Sequence, residues 1–149
     1  MLVYRIALAR YAGKLKASGR AARWNPNDVE MIYMASSRSL ACLENVVHRS
    51  PIGLTELFNV MTIECPGHIR KEIIELDTLP ANWTDFDQMS KTQRIGEKWI
   101  RENRSAILQV PSSIVHEEVN YLLNPNHPDF KLIKLIKTLL FVFDDRIKR

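Results

Sequence analysis

At 149 residues, with 46% hydrophobic and 26% charged residues, the chain fits one globular domain with a substantial core and excludes a disordered polymer. A net charge of +4 permits an anionic ligand or an acidic partner without requiring either. Two cysteines, Cys42 and Cys65, without metal-site spacing argue against a cysteine-built metal centre, and the late apolar run "TLLFVF" is too short for a bilayer span.

"LVYRIAL" (2–8), with aromatic and branched residues, predicts a first strand. The opening "MLVYRIALARYAGK" has too short an apolar run, with charges inside it, for a signal peptide, so the expected location is cytoplasmic. Residues 1–24 hold Arg5, Arg10, Lys14, Lys16, Arg20 and Arg23 and no acid. Such a cluster is either a solvated surface or an electropositive site for a phosphorylated ligand. "ARYAGKLKASGRAA" (9–22) reads as a loop with at most one helical turn. Asn25-Pro26-Asn27-Asp28 is a turn signature, and "EMIYMA" (30–35) is a short strand candidate.

The clearest helix is "SSRSLACLENVVHR" (36–49), capped by Ser36 or Ser37 and followed by Pro51. Leu40, Leu43 and Val47 have the spacing of a buried stripe, and Cys42 reads as a core thiol. Glu44 falls inside or beside that stripe, with His48 one turn farther on. A carboxylate there is the odd residue out, because burying an unpaired charge is costly.

"LFNVMTIEC" (57–65) predicts a strand ended by Pro66-Gly67. "IRKEIIELDTLP" (69–80) is either a strand or a short helix, and "ANWTDF" (81–86) a loop. A helix over Thr92–Glu102 puts Ile95 and Trp99 on one face. "AILQV" (106–110) reads as a buried strand broken by "PSS", and "IVHEEVNYLL" (114–123) as a strand or extended segment. "NPNHPDF" (124–130) is a structured loop. "KLIKLIKTLL" (131–140) fits a helix face, yet its branched and aromatic continuation also suits a strand. The closing segment adds Lys131, Lys134, Lys137, Arg146, Lys148 and Arg149 against three aspartates. No repeat or linker divides the chain, so the expectation is one α+β domain, 1–149, with mixed sheets and flanking helices.

The residues with chemistry to offer are Arg23, Tyr33, Glu44, His48, the Ser112–Ser113 pair and the polar loop around Asn124–His127. Arginine presents paired donors to a phosphate or carboxylate. Tyrosine offers a flat face and a hydroxyl. A half-buried carboxylate stabilises developing positive charge or accepts a proton. Together they suit cleavage of an N-glycosidic bond to a cationic leaving group.

Plainer readings stand beside these. Taken alone, Tyr33 reads first as a core or rim aromatic, Glu44 equally as a partner for His48 or an arginine, and Ser112 by default as a cap or turn residue after a proline. His48, His116 and His127 have no compact zinc spacing, so no metal is expected. Trp24 and Trp99 read as packing residues. Neither a P-loop nor G-x-G-x-x-G is present, and the basic residues form no DNA-reading motif.

The segments "VYRI", "RWNPNDVEMIYMASSRSLACLENVVH", "TLPANW", "QRIGEKWI", "VPSSIVHEEVNYLLNPNHPDF" and "FVFDDRI" resemble, in order and spacing, the RES domain. This is the toxin half of Xre–RES toxin–antitoxin pairs, and the resemblance covers nearly the whole chain. It implies a fold like that of ADP-ribosyltransferases and an enzyme that uses NAD as a substrate, with no cofactor. NAD would be consumed by hydrolysis or phosphorolysis, or its ADP-ribose passed to a protein.

The resemblance also implies roles. The family's catalytic arginine, tyrosine, glutamate and serine fall on Arg23, Tyr33, Glu44 and Ser112. Substrate contacts fall on Arg5, Trp24, Asn25, His48, Asn120 and Asn124, the last in the Asn-Pro loop with Pro125 and His127. Relatives usually carry two glycines before the arginine, where this chain has Ala21-Ala22. The implied partner is an Xre-type helix-turn-helix antitoxin in a hetero-oligomer. Any DNA binding would come through that partner, and no membrane is involved. Two alternatives remain: a mono-ADP-ribosyltransferase acting on one host protein, and a catalytically weak RES protein that only binds its partner.

Overall fold

The computed structural model describes residues 1–48 and 56–147. Seven strands form one mixed sheet: β1 (Leu2–Leu8), β2 (Ile32–Ala35), β3 (Phe58–Glu64), β4 (Lys71–Ile73), β5 (Ile107–Pro111), β6 (Val119–Leu123) and β7 (Lys134–Phe141), in the order β4-β5-β6-β2-β1-β3-β7. All neighbours run antiparallel except β4 and β5, which are parallel. Among the described residues, two helices, α1 (Arg38–His48) and α2 (Met89–Glu102), complete an α+β fold.

Strand alternation sorts the core into two faces. On one, Val3, Ile32, Met34, Met61, Ile63, Ile107 and Leu123 pack under loops that contribute Ala12, Ala17, Ile69 and Ile133. On the other, the helices lie over neighbouring parts of the sheet. Leu40 and Ala41 of α1 cover Ile6, Ala35, Phe58 and Val60. Trp99 of α2, with Trp24 and Trp83, covers Leu108, Val110 and Leu122.

The open alternatives resolve in favour of strands. "KLIKLIKTLL" contributes β7, because β3 offers it a ladder from Phe58–Phe141 to Glu64–Lys134, with a bulge near Thr62. "IRKEIIELDTLP" divides into the short β4 and a 3-10 turn at Leu76–Thr78. Helix α2 begins at Met89, three residues before the expected start. Ser37 caps α1 by accepting the Leu40 N–H at 3.0 Å. The expected stop at Pro51 lies outside the described residues.

The α1 stripe needs correction. Leu40 is buried, but Leu43 and Val47 are 38% and 55% exposed. The inward face continues instead through Glu44 and Asn45, with the exposed His48 at its end, and all three line a cavity. A helix that walls a cavity does not need an apolar residue at every inward position, so the periodic rule picks the wrong stripe. Cys42, expected in the core, is half-buried against the α1 cluster, while Cys65 is buried.

Candidate active site

The cavity begins where the sheet divides. β1 and β2 pair at a single position, Tyr4 opposite Ala35. Beyond it, Arg5 to Leu8 and Tyr33 to Met34 belong to strands no longer laddered to each other, and freed backbone groups must find other partners. Two asparagines supply them. Asn120 donates to the Met34 carbonyl at 3.2 Å, and Asn45 of α1 donates to the Ile6 carbonyl at 3.1 Å. The resulting cavity is about 700 Å³, within the usual range for small-molecule sites.

Most of its wall comes from three elements and one loop, with Phe58, Met89, Ser113 and Asn120 completing the lining. β1 contributes Arg5, β2 contributes Tyr33, α1 contributes Glu44 and His48, and the loop before β2 contributes Ala21 to Trp24. Arg5 is half-buried, its pKa is lowered by desolvation, and among the described residues it has no carboxylate partner. An unpaired guanidinium in a cavity wall is suited to an anionic ligand. The Arg23 guanidinium donates to the Trp83 carbonyl at 3.3 Å.

In the same lining, Glu44 is held on both oxygens. The Ser112 hydroxyl donates to Glu44 Oε1 at 3.2 Å, while His48 Nε2 lies 3.4 Å from Oε2. The Ser112 oxygen also accepts the Ile114 and Val115 N–H groups at 3.1 and 3.2 Å. With its acceptor side occupied, the serine's single proton is directed at the carboxylate. Ser112 is buried at the end of β5 and Glu44 is half-buried, whereas His48 is mostly exposed.

Tyr33 has a different surrounding from the one its candidacy suggested. Its hydroxyl donates to Asn25 Oδ1 at 2.6 Å and accepts the Trp24 N–H at 3.0 Å. Asn25 is buried and donates through Nδ2 to the carbonyls of Arg20, Pro26 and Val29. The phenol therefore pins the Arg23 loop, and the residue borders the cavity as well.

Burial pushes the Tyr33 pKa well above the ordinary phenol value. The neutral hydroxyl therefore contributes stability below about pH 10, which is lost as rising pH ionises the unfolded phenol and then approaches the folded pKa. Tyr33→Phe should cost about 1–3 kcal/mol by orphaning buried partners and should flatten the alkaline fall in stability. Urea denaturation at pH 7 and pH 10.5 checks both effects.

Asn124 lies elsewhere. It is fully buried, donates to Asn103 Oδ1 at 2.8 Å and accepts the Asn126 N–H, so it ties the "NPNHPDF" loop to the end of α2. His127 caps the following turn by accepting the Asp129 N–H. Asn25 serves the cavity only from behind Tyr33. Trp24 is buried, as a packing residue should be, yet also reaches the cavity wall.

Ala21 and Ala22, where the resemblance leads one to expect glycines, carry no backbone strain. Among the described non-glycine residues, only Asp28 and Asn103 have positive φ, so Ala21 and Ala22 sit in ordinary conformations.

Sequence reasoning missed Asn45, Trp83, Thr92 and Gln93 as parts of the site. Asn45 was legible only as a polar residue beside Glu44. Trp83 packs 5.8 Å from Trp24 and presents a carbonyl to Arg23, a backbone role that residue type does not signal.

The family described as RES domain matches residues 2–144. A protein of Sphingobium sp. (strain YBL2) named "Prs ADP-ribosylating toxin" is 40% identical over 129 residues, covering 85% of this chain and 80% of that protein. "Toxin Res" of Yersinia enterocolitica is 34% identical over a 153-residue alignment covering 99% of this chain and all of that protein. A chain in the crystal structure of the M. tuberculosis MbcT–MbcA toxin–antitoxin complex has the same fold, with a TM-score of 0.74 at 16% identity over 95% of this chain and 84% of that one. With the family match running along nearly its whole length, this chain belongs to the RES-domain family of toxins.

Proposed function

We propose that the protein cleaves the nicotinamide–ribose bond of NAD as the toxin of a toxin–antitoxin pair. The observation that carries this reading is the Glu44 carboxylate, fixed by Ser112 in a cavity that also presents Arg5 and Arg23. The arginines match the charge of a pyrophosphate, and the Tyr33 ring and the loop fit a flat pyridine. As the glycosidic bond breaks, its electron pair passes to the pyridinium nitrogen and neutralises it. The ribose carbon becomes oxocarbenium-like, and a nucleophile forms the new bond to it, a protic one releasing its proton to solvent. Glu44 holds a ribose hydroxyl and stabilises that cation, so no strong general acid is needed.

The nucleophile decides the product. Water or phosphate gives NAD consumption, the first reading. A protein side chain gives ADP-ribosylation, a second reading favoured by the name of the Sphingobium relative. The fold shared with a chain of a toxin–antitoxin complex supports an antitoxin partner, which we assign to the Xre-type helix-turn-helix class, and we assign the toxin itself to the cytoplasm.

Incubation with NAD labelled separately in nicotinamide and in adenylate tests these readings. Free nicotinamide without labelled protein supports consumption, and ADP-ribose-1″-phosphate in phosphate buffer identifies phosphorolysis. Label on an acceptor protein supports transfer. No nicotinamide release in buffer, phosphate or cell extract overturns both readings and leaves a partner-binding protein without catalysis.

A further inference from the structure

Among the described residues, the Arg23 guanidinium is held by one carbonyl at 3.3 Å, which is too weak to set its aim. Its position is fixed through the backbone, and that backbone is gripped from α2. Thr92 is buried, and its hydroxyl donates to the Arg23 carbonyl at 2.5 Å, closer than the 3.0 Å to the Met89 carbonyl within its own helix. Gln93 donates through Nε2 to the Ala22 carbonyl at 2.9 Å. One turn on, Gly96 lets α2 approach the Trp24 carbonyl closely. From the other side, Tyr33 takes the Trp24 N–H. Loop carbonyls need donors wherever they are buried, but here neighbouring ones are served by consecutive residues of one helix.

We propose that Thr92 and Gln93 are positioning residues for Arg23, clamping its backbone so that the guanidinium enters the cavity at the height of a bound ligand's phosphate. The identity of that ligand rests on the NAD reading above, whereas the clamp does not. A clamp acting through Arg23 has a kinetic signature. Ground-state binding weakens and KM rises, whereas a variant that merely unfolds a fraction of the molecules lowers apparent kcat at constant KM.

The test is a double-mutant cycle on nicotinamide release. Thr92→Val and Gln93→Leu should each raise KM for NAD about tenfold, since misplacements near 1 Å are costly in well-oriented sites. Thr92→Ser, which keeps the hydroxyl, should restore the wild-type KM. In an Arg23→Ala background neither substitution should add a further effect. Additive effects, an unchanged KM or failure of serine to rescue would overturn the proposal.

Trypsin cleavage at the Arg23–Trp24 bond reads the clamp without turnover. It should run about tenfold faster in Thr92→Val and Gln93→Leu than in wild type or Thr92→Ser, with cleavage after Arg38 unchanged as an internal control. Equal rates overturn the clamp even if NAD is consumed. If the wild-type chain releases no nicotinamide while the cleavage rates differ as expected, the NAD reading fails and the clamp stands.

Discussion

Replacing Glu44 by glutamine is expected to lower nicotinamide release about a thousandfold while leaving the thermal midpoint within a few degrees. The carboxylate and a developing cation about 4 Å apart attract by about 4 kcal/mol at an effective dielectric near 20, and each 1.4 kcal/mol is tenfold in rate. Glutamine keeps the shape and an acceptor for Ser112, so the loss reports charge rather than packing. Ser112→Ala should cost less, about tenfold, because it removes one hydrogen bond to a charged group and leaves the carboxylate in place. His48→Ala should change the rate by no more than about threefold, since its exposed side chain is screened by water. Steady-state kinetics with thermal melts on the three variants would show this ranking. A Glu44→Gln enzyme within tenfold of wild type would remove Glu44 from the mechanism.

Strands β3 and β5 are legible as apolar runs because both of their faces, or nearly so, are covered, and β1 is legible from its branched and aromatic residues although only Val3 and Ile6 are buried. β7 was ambiguous because it is an edge strand. Its lysines and exposed Ile136, Leu139 and Leu140 do not alternate cleanly, and only the partner β3 decides its state. Arg23, Tyr33, Glu44 and Ser112 can be named from motif resemblance, but their mutual arrangement cannot. Glu44 and Ser112 are 68 residues apart in sequence and meet only through the packing of α1 on the sheet and the end of β5. Tyr33 shows the limit most clearly. Its residue type suggested a ligand platform, whereas the fold spends its hydroxyl on holding the Arg23 loop. Thr92 and Gln93 carry no local signal, because a polar residue on a helix ordinarily faces water.

The second large effect is expected at Gly96. On an isolated helix, glycine to alanine stabilises by about 1 kcal/mol. Here the added Cβ would lie 1.8 Å from the Trp24 oxygen, 2.8 Å from its carbonyl carbon and 3.0 Å from Met31 Cε. Reaching van der Waals separation requires a shift of more than about 1 Å. Neither side can give it freely. Trp24 is buried among Trp83 and Trp99 with its N–H bound by Tyr33, and α2 is fixed through Trp99 bonded to Ser105. Overpacking of this kind costs about 1–3 kcal/mol and sometimes more, so it outweighs the helix gain. Gly96→Ala should therefore lose about 1–2 kcal/mol net and several degrees of thermal midpoint. It should also raise KM for NAD, because the displaced carbonyl follows Arg23 directly in the chain. Gly67→Ala, whose Cβ would meet nothing within 4 Å, should be nearly neutral and controls for the substitution itself. A Gly96→Ala protein more stable than wild type, with unchanged KM, would mean that α2 and the Arg23 loop slide past one another freely. The close approach of glycine to Trp24 would then have no part in setting the site.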